Sequence, residues 1–376
     1  MLPEDRTLLA KVVAVYEKAH PNVHVELIYK ETEELRSAFQ SASLAGLGPD
    51  LIYGPSDQVG PFATMGFVRE LDDVIPAARI PELDSRAAVT FKGHIYQLAD
   101  RVGNHLTLVY NTKLVPVPPQ NTDELIRIGK EVTKDLDGDG KIDQWGIVWN
   151  FTEPFFFVPW LCGFGGWVFD DQGNPSLNTE ASANAFQFVK SLRDEYKIIP
   201  PDCDYNMADV LFKEGRAAML INGPWSWPGY EKAGVPFELA RIPQVVSTGL
   251  WPAPMVAPMG YSISANSKGR RLDEAERLLG YLTSDSVQLR FVRENGIVPS
   301  SLILRTDSLY LARPHMAQSL SQLEVGRAMP IVPELRAVWD AMRPAYQSVL
   351  GGAMSPKAAA AKMQADAVAK IREMNE

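Results

Sequence analysis

RTLLAKVVAVYEKAHPNVHVELIYKETEELRSAFQSASLAGLGPDLIY, residues 6–53, decides the fold class, because the period of its apolar residues changes along its length. Leu8, Leu9, Val12, Val13, Tyr16 and Ala19 recur at helical spacing, and Pro21 closes that helix. VHVELIY (23–29) then alternates Val23, Val25 and Leu27 with His24 and Glu26, which predicts a partly buried strand. TEELRSAFQSASLAG (32–46) returns to the helical period through Leu35, Ala38, Phe39 and Ala42, and the LIY after Pro49-Asp50 reads as entering a sheet. Helices between strands predict α/β layers with crossover connections.

The alternation continues outward from this stretch. HIYQLAD (94–100), LTLVYN (106–111), AMLING (218–223) and GYSISANS (260–267) read as strands. TDELIRIGKEVTK (122–134), residues 180–195 with Phe186, Val189 and Leu192 inward, residues 208–216 and the long segment 273–295 read as helices. SPKAAAAKMQADAVAKIREM (355–374) closes the chain as a helix, with Ser355 as cap and Pro356 in the first turn. VPVPPQ (115–120) and LWPAPMVAPMG (250–260) are the candidate joints, since proline resists both helix and central strand. No period of stacked repeats is present.

The 376 residues suit two domains of ordinary size. A net charge of -9 argues against a broad nucleic-acid footprint. The two cysteines, Cys162 and Cys203, allow one bridge at most and exclude a multi-cysteine metal site. No run approaches the roughly 20 apolar residues of a membrane-spanning helix. MLPEDRTLLAK (1–11) carries charges where the apolar part of a secretory leader would stand, which fits either a cytoplasmic protein or one whose leader is removed.

DLDGDGKID (135–143) sets Asp135, Asp137, Asp139 and Asp143 at the spacing of a calcium loop, with Gly140 at its sixth position. The twelfth position is Gly146 rather than a bidentate glutamate, and a plain turn explains the same residues, since Asp accepts local backbone bonds. Glu153, in TEPFFFVPWLCGFGGW (152–167), stands among rings, where a carboxyl group can serve as a general acid or as a hydrogen-bond acceptor. G-x-S-x-G, H-E-x-x-H and the phosphate-binding G-x-x-x-x-G-K-[ST] are all absent. Trp145, Trp149, Trp160 and Trp167 cluster, and GPWSWPGY (223–230) adds Trp225, Trp227 and Tyr230. A sugar lays its C–H faces on rings and its hydroxyls on acceptors, so rings with carboxylates suit a neutral oligosaccharide; a packed core explains any single ring as well.

GPDLIYGPSDQVGPFATMGF (48–67), LTLVYNTKLVPVPP (106–119), TEPFFFVPWLCGFGG (152–166), FKEGRAAMLINGPWSW (212–227) and MPIVPELRAVWDAMR (329–343), in this order and spacing, resemble the maltose- and maltodextrin-binding members of the extracellular solute-binding proteins of carbohydrate ABC importers. The resemblance implies a two-lobed α/β fold of the periplasmic-binding-protein type II, its lobes joined by hinge crossovers with a ligand cleft between them. It implies lobes of residues 1–103 plus 259–307 and 104–258 plus 308–376, and a strand ahead of the first helix for which this sequence leaves little room. By matching position, Asp57 and Glu153 accept hydrogen bonds from sugar hydroxyls, Phe155, Trp225 and Trp339 supply ring faces, and Arg343 donates. Phe155 replaces the family's tyrosine, Asn104 its glutamate, Gln58 its arginine and Gly54 an aromatic, which makes these positions candidates for sugar specificity.

The expected partners are an oligosaccharide and the permease subunits of an importer, for a monomer outside the cytoplasm that needs no cofactor, a structural calcium at 135–143 aside. Two other readings stay open: a carbohydrate-active enzyme using Glu153, and a shortened structural homologue that binds nothing.

Overall fold

In a computed structural model, residues 3–30 and 32–375 are described. The strands among them are β1 (Leu51–Pro55), β2 (Ala88–Phe91), β3 (His94–Arg101), β4 (Thr107–Asn111), β5 (Trp145–Val148), β6 (Ala217–Asn222), β7 (Phe237–Ala240), β8 (Met255–Val256), β9 (Met259–Ile263) and β10 (Arg327–Ala328). The chain divides into two compact units. Unit 1 holds Met1–Gly103, Val256–Ala317 and Ala328–Pro333, and unit 2 holds Asn104–Met255, Gln318–Arg327 and Glu334–Glu376. Residues 256–258, 308–317 and 328–333 thus pack with the first unit, whereas the sequence boundaries assign them to the second. VPVPPQ lies wholly inside unit 2, and of the two Pro-rich pieces only LWPAPMVAPMG contains a crossing between units.

Unit 1 is built on an antiparallel sheet in the order β1-β9-β3-β2. The first helix, Pro3–Ala19, buries Leu8, Leu9, Val12, Val13 and Tyr16 as the period predicts, but its Ala19 is exposed. A second cluster packs Phe39, Ile52, Phe62, Phe67 and Val68 together. Buried charges tie the unit across long sequence separations. Arg101 donates to Asp5 at 2.7 Å, and Asn295 donates to the other oxygen of Asp5 at 2.6 Å.

VHVELIY departs from expectation. Its alternation is real, with Val23, Val25 and Leu27 half-buried and His24, Glu26 and Ile28 exposed, but residues 23–29 form no strand and have no ladder partner among the described residues. The Val25 amide donates instead to the Glu17 carboxylate at 2.8 Å. An alternating pattern reports which face of a segment is apolar, and it carries no information on whether a neighbouring strand is there to pair with it.

The sheet of unit 2 runs β5-β6-β4-β7, with β5 and β6 parallel and the other pairs antiparallel. β4 and β6 are buried at every position, which is why LTLVYN and AAMLIN read as continuous apolar runs rather than alternations. Against the sheet lies an aromatic core in which Phe157 stacks on Phe186 at 4.5 Å and Tyr346 lies 4.9 Å from Phe157. Trp149 donates its indole N–H to the Tyr346 hydroxyl at 3.0 Å, so both polar tips are satisfied without water. Each such ring removes roughly 150–250 Å² from water, an upper estimate of about 4–6 kcal/mol. The parallel pairing of β5 and β6 matters most for function: the segments that follow these strands, 149–155 and 223–227, leave the sheet at the same end.

The segment 273–295 is two helices, Arg270–Leu282 and Asp285–Asn295, broken where Thr283 returns its hydroxyl to the Leu279 carbonyl at 2.8 Å. Cys162 and Cys203 are buried free thiols, both pushed up to about 12 by burial, and no bridge joins them.

Candidate functional site

The segment after β5 is shaped by its own side chains. Asn150 accepts from the Thr152 amide at 3.0 Å and the Thr152 hydroxyl at 2.6 Å, closing a tight turn. Phe151 donates its amide to the Cys203 carbonyl at 2.8 Å. The chain then enters a short 3-10 helix, Pro154–Phe156, with Glu153 at its N-cap in extended geometry. Proline in the first turn costs nothing there, because its missing donor has no partner in any case.

Glu153 meets Arg343 in a two-pronged pair: Nε to Oε1 at 3.2 Å and Nη2 to Oε2 at 2.9 Å. The hydrogen bond to Glu153 holds the Arg343 guanidinium above its ordinary pKa, while Asp340, 3.4 Å from Nη1, adds to the same effect. Both side chains remain open to solvent, Glu153 at 44% and Arg343 at 36%, so the pair fixes orientation more than it stabilises the fold. Each Glu153 oxygen keeps a further lone pair for a ligand hydroxyl.

Arg343 belongs to the helix Leu335–Leu350, which buries Leu335, Val338, Met342 and Tyr346. Trp339 lies four residues before Arg343, on the same face, and is half-buried. Gln347, four residues after, donates to the Thr152 carbonyl at 3.3 Å, joining this helix to the Glu153 turn.

After β6 comes Gly223-Pro224-Trp225. The half-buried Trp225 donates its indole N–H to the Tyr205 hydroxyl at 3.0 Å. Tyr205 begins the helix Tyr205–Lys213, capped by Asp204, which accepts from the Met207 amide at 2.7 Å. Phe156 meets the Tyr205 ring edge-on at 6.4 Å and Phe155 at 5.8 Å. A continuous line of contacts therefore runs Phe155–Phe156–Tyr205–Trp225 beside the Glu153–Arg343 pair. Unit 2 thus gathers five of the six ligand candidates, Glu153, Phe155, Trp225, Trp339 and Arg343, on segments that the sheet and the Leu335–Leu350 helix bring together.

The sixth, Asp57, lies half-buried in unit 1, in the 3-10 helix Ser56–Gln58 that follows β1. A β-carbon on Gly54 would stand 3.1 Å from the buried Gln58 Oε1, so the small residue makes room for the amide. Asn104, in unit 2, is half-buried with φ 50, a left-handed conformation that asparagine tolerates better than glutamate does.

Other rings leave the candidate set. Trp149, Trp160, Trp227 and Tyr230 are core residues, each 2% exposed or less. Trp167 is covered by the Arg327 guanidinium, 4.0 Å from its ring. Sequence reasoning missed Tyr205, which lies 20 residues from Trp225 with nothing in the sequence to join them, and Gly223, whose place at the head of GPWSWPGY was the one signal it offered.

In the acidic loop, Asp135, Asp137 and Asp143 converge with Asp139 outside the cluster, which corrects the four-ligand expectation. Asp135 accepts from the Gly138 and Gly140 amides at 2.7 and 2.8 Å, Asp137 from the Asp139 amide and Asp143 from the Leu136 amide. The Gly140 and Gly138 amides hold Asp135 below its ordinary range, as a turn does without an ion. Among the described residues, no helix is long and apolar enough to cross a membrane.

A family model described as bacterial extracellular solute-binding protein matches residues 11–318. The structure of the maltose/maltodextrin-binding domain MalE from Bdellovibrio bacteriovorus bound to maltotriose is similar with a TM-score of 0.88 and 49% identity, over 99% of this chain and 98% of that one. The maltotriose-binding protein of Pyrococcus abyssi is 27% identical over 93% of this chain and 76% of its own length. The maltooligosaccharide ABC transporter solute-binding lipoprotein of Streptococcus pneumoniae is 23% identical over 98% and 86%. The two-unit α/β architecture is that of the bilobed type II binding-protein fold. The match covers most of the sequence and nearly half of the aligned residues are identical in the Bdellovibrio structure, so the chain belongs to the bacterial extracellular solute-binding protein family.

Proposed function

We propose that this chain captures a short α-linked glucan of the maltotriose class and presents it to the permease of an ABC importer. The observation that carries the reading is the unit 2 wall, where Phe155 and Trp225 are linked through the Phe156 and Tyr205 rings and the Trp225–Tyr205 hydrogen bond, beside a carboxylate clasped by Arg343. Ring faces take the C–H faces of successive glucose units, and the free lone pairs of Glu153 take their hydroxyls. Trp339 adds a second indole, Arg343 a donor, and Asp57 of unit 1 a further acceptor. Gly54, Gln58 and Asn104 tune which sugar is preferred. The ligands and transporter named for the relatives support this choice.

Binding, not catalysis, fits the arrangement. Both oxygens of Glu153 face a guanidinium, which arranges the group to accept hydrogen bonds rather than to protonate a leaving group. No bond is broken; the energy of transport comes from the importer's ATPase.

The test is isothermal calorimetry on protein freed of sugar, titrated with glucose, maltose, maltotriose, maltotetraose and, as the β-linked control, cellotriose, with product analysis of the mixtures afterwards. Saturable binding strongest among the α-linked oligomers, with the sugars recovered intact, is expected. Cleavage would restore the enzyme reading, and silence across the panel, with no shift in melting temperature, would leave the protein a non-binding homologue.

A further inference from the structure

Gly223 is a glycine for a reason its backbone does not supply. Its φ lies outside the left-handed region, so an alanine there meets no dihedral strain. What excludes a side chain is the indole of Trp225. A β-carbon at 223 would stand 2.6 Å from Cε3 and nearer still to Cζ3 and Cη2, the three atoms closest to it. The six-membered part of the indole therefore rests on the bare α-carbon of Gly223.

The seat beneath the ring is itself fixed. The Gly223 amide donates to Asn222 Oδ1 at 2.9 Å, and Asn222 Nδ2 donates to the Tyr230 hydroxyl at 2.9 Å. The Gly223 carbonyl accepts from the Ser226 hydroxyl at 2.7 Å and the Ser226 amide at 3.1 Å. Asn222, Ser226 and Tyr230 are buried, so water does not compete for these bonds. Across the ring, Nε1 is held by the Tyr205 hydroxyl at 3.0 Å.

We infer that Gly223 and Tyr205 are positioning residues that set the plane of Trp225 before a sugar arrives, one by seating the ring and the other by anchoring its polar edge. A platform fixed in advance loses less side-chain freedom on binding, which is where preorganisation gains affinity. The inference rests on the oligosaccharide reading and adds to it two residues that touch the ring.

The test is a cycle of Gly223→Ala, Tyr205→Phe, Trp225→Ala and the double variant Gly223→Ala/Trp225→Ala, read by maltotriose calorimetry and by melting temperature. Gly223→Ala is expected to weaken maltotriose binding at least about ten-fold, and Tyr205→Phe by a smaller factor of about three. With Trp225 already removed, alanine at 223 is expected to change neither affinity nor melting temperature further, because the ring it would displace is gone. Equal losses of melting temperature in both backgrounds would overturn the inference, since the glycine would then serve the loop's own packing. Unchanged affinity in both Gly223→Ala and Tyr205→Phe would overturn it as well, and should Gly223→Ala not fold, Tyr205→Phe alone decides. If the unaltered protein binds no maltotriose, the oligosaccharide reading itself falls, an outcome distinct from wild-type binding with unaffected variants.

Discussion

Replacing Glu153 by glutamine separates ligand recognition from folding with little change of shape. The carboxylate receives Arg343 Nε at 3.2 Å and Nη2 at 2.9 Å. Glutamine keeps one of those acceptors and turns an NH₂ toward a guanidinium, which has no acceptor to offer it. In the unliganded protein the loss is small, because exposures of 44% and 36% leave the pair well solvated and worth about 0–1 kcal/mol. For a unit of this size that corresponds to a fall in melting temperature of no more than about 2–4 °C. In the complex, a hydrogen bond to a charged acceptor contributes roughly 1.5–3 kcal/mol, so affinity for maltotriose should fall about 10- to 150-fold. Calorimetry and thermal denaturation on the same preparation measure both sides. Unchanged affinity in Glu153→Gln, with Trp225→Ala impaired, would show that the carboxylate faces no sugar. A large fall in melting temperature would recast the pair as structural.

Trp225→Ala and Trp339→Ala should each weaken sugar binding by at least about ten-fold while leaving the unliganded melting temperature nearly unchanged, since both rings are only half-buried; calorimetry with a melt of each variant checks this. Asp84 is buried and clasped by Arg86 at 2.7 Å and Arg305 at 2.8 Å; burial pushes its carboxyl up, but the Arg86 hydrogen bond and both guanidinium charges outweigh it and hold it well below the usual range. A depressed folded pKa gives stability that is present above the unfolded value near 4 and lost as pH falls through the folded value, so Asp84→Asn should be less stable at pH 7 by about 3–5 kcal/mol and show a shallower acid-side fall in a pH series of melts. Calcium added to chelator-treated protein should leave the melting temperature unchanged, because the turn is already closed by its own amides and the twelfth position, Gly146, supplies no bidentate carboxylate; a clear rise would assign the loop an ion.

Much of the architecture was legible because it is written in local period. The stripe from Leu8 to Tyr16, the buried runs 106–111 and 218–222, and the helix at 180–194 follow from side-chain spacing alone. Strand 23–29 was misread because a partner is a non-local fact. The split at Thr283 was hidden because apolar spacing continues through it while the threonine hydroxyl turns back on the backbone. In the site, family resemblance supplied Glu153, Trp225, Trp339 and Arg343, but not the arrangement. That the carboxylate and guanidinium face each other across 190 residues, and that the Trp225 indole meets both Gly223 and Tyr205, are contacts that spacing along the chain does not encode. Trp149, Trp160 and Trp227 show the limit of composition, since a core ring and a ligand ring are the same residue until burial separates them.

Among the described residues β1 ends its sheet with β9 as its one ladder neighbour, and the bonds Ser264 to Asp50 and Ser56 to Pro258 place the even-numbered positions on that shared side. The main-chain groups of Leu51 and Tyr53 consequently point outward, toward whatever extended chain next comes alongside. Such a rim is a template for main-chain pairing between molecules, blunted at one end by Pro55, which has no donor to give. Concentration-dependent sedimentation is where that tendency would register, and a charged residue in place of Leu51 is the change that would suppress it.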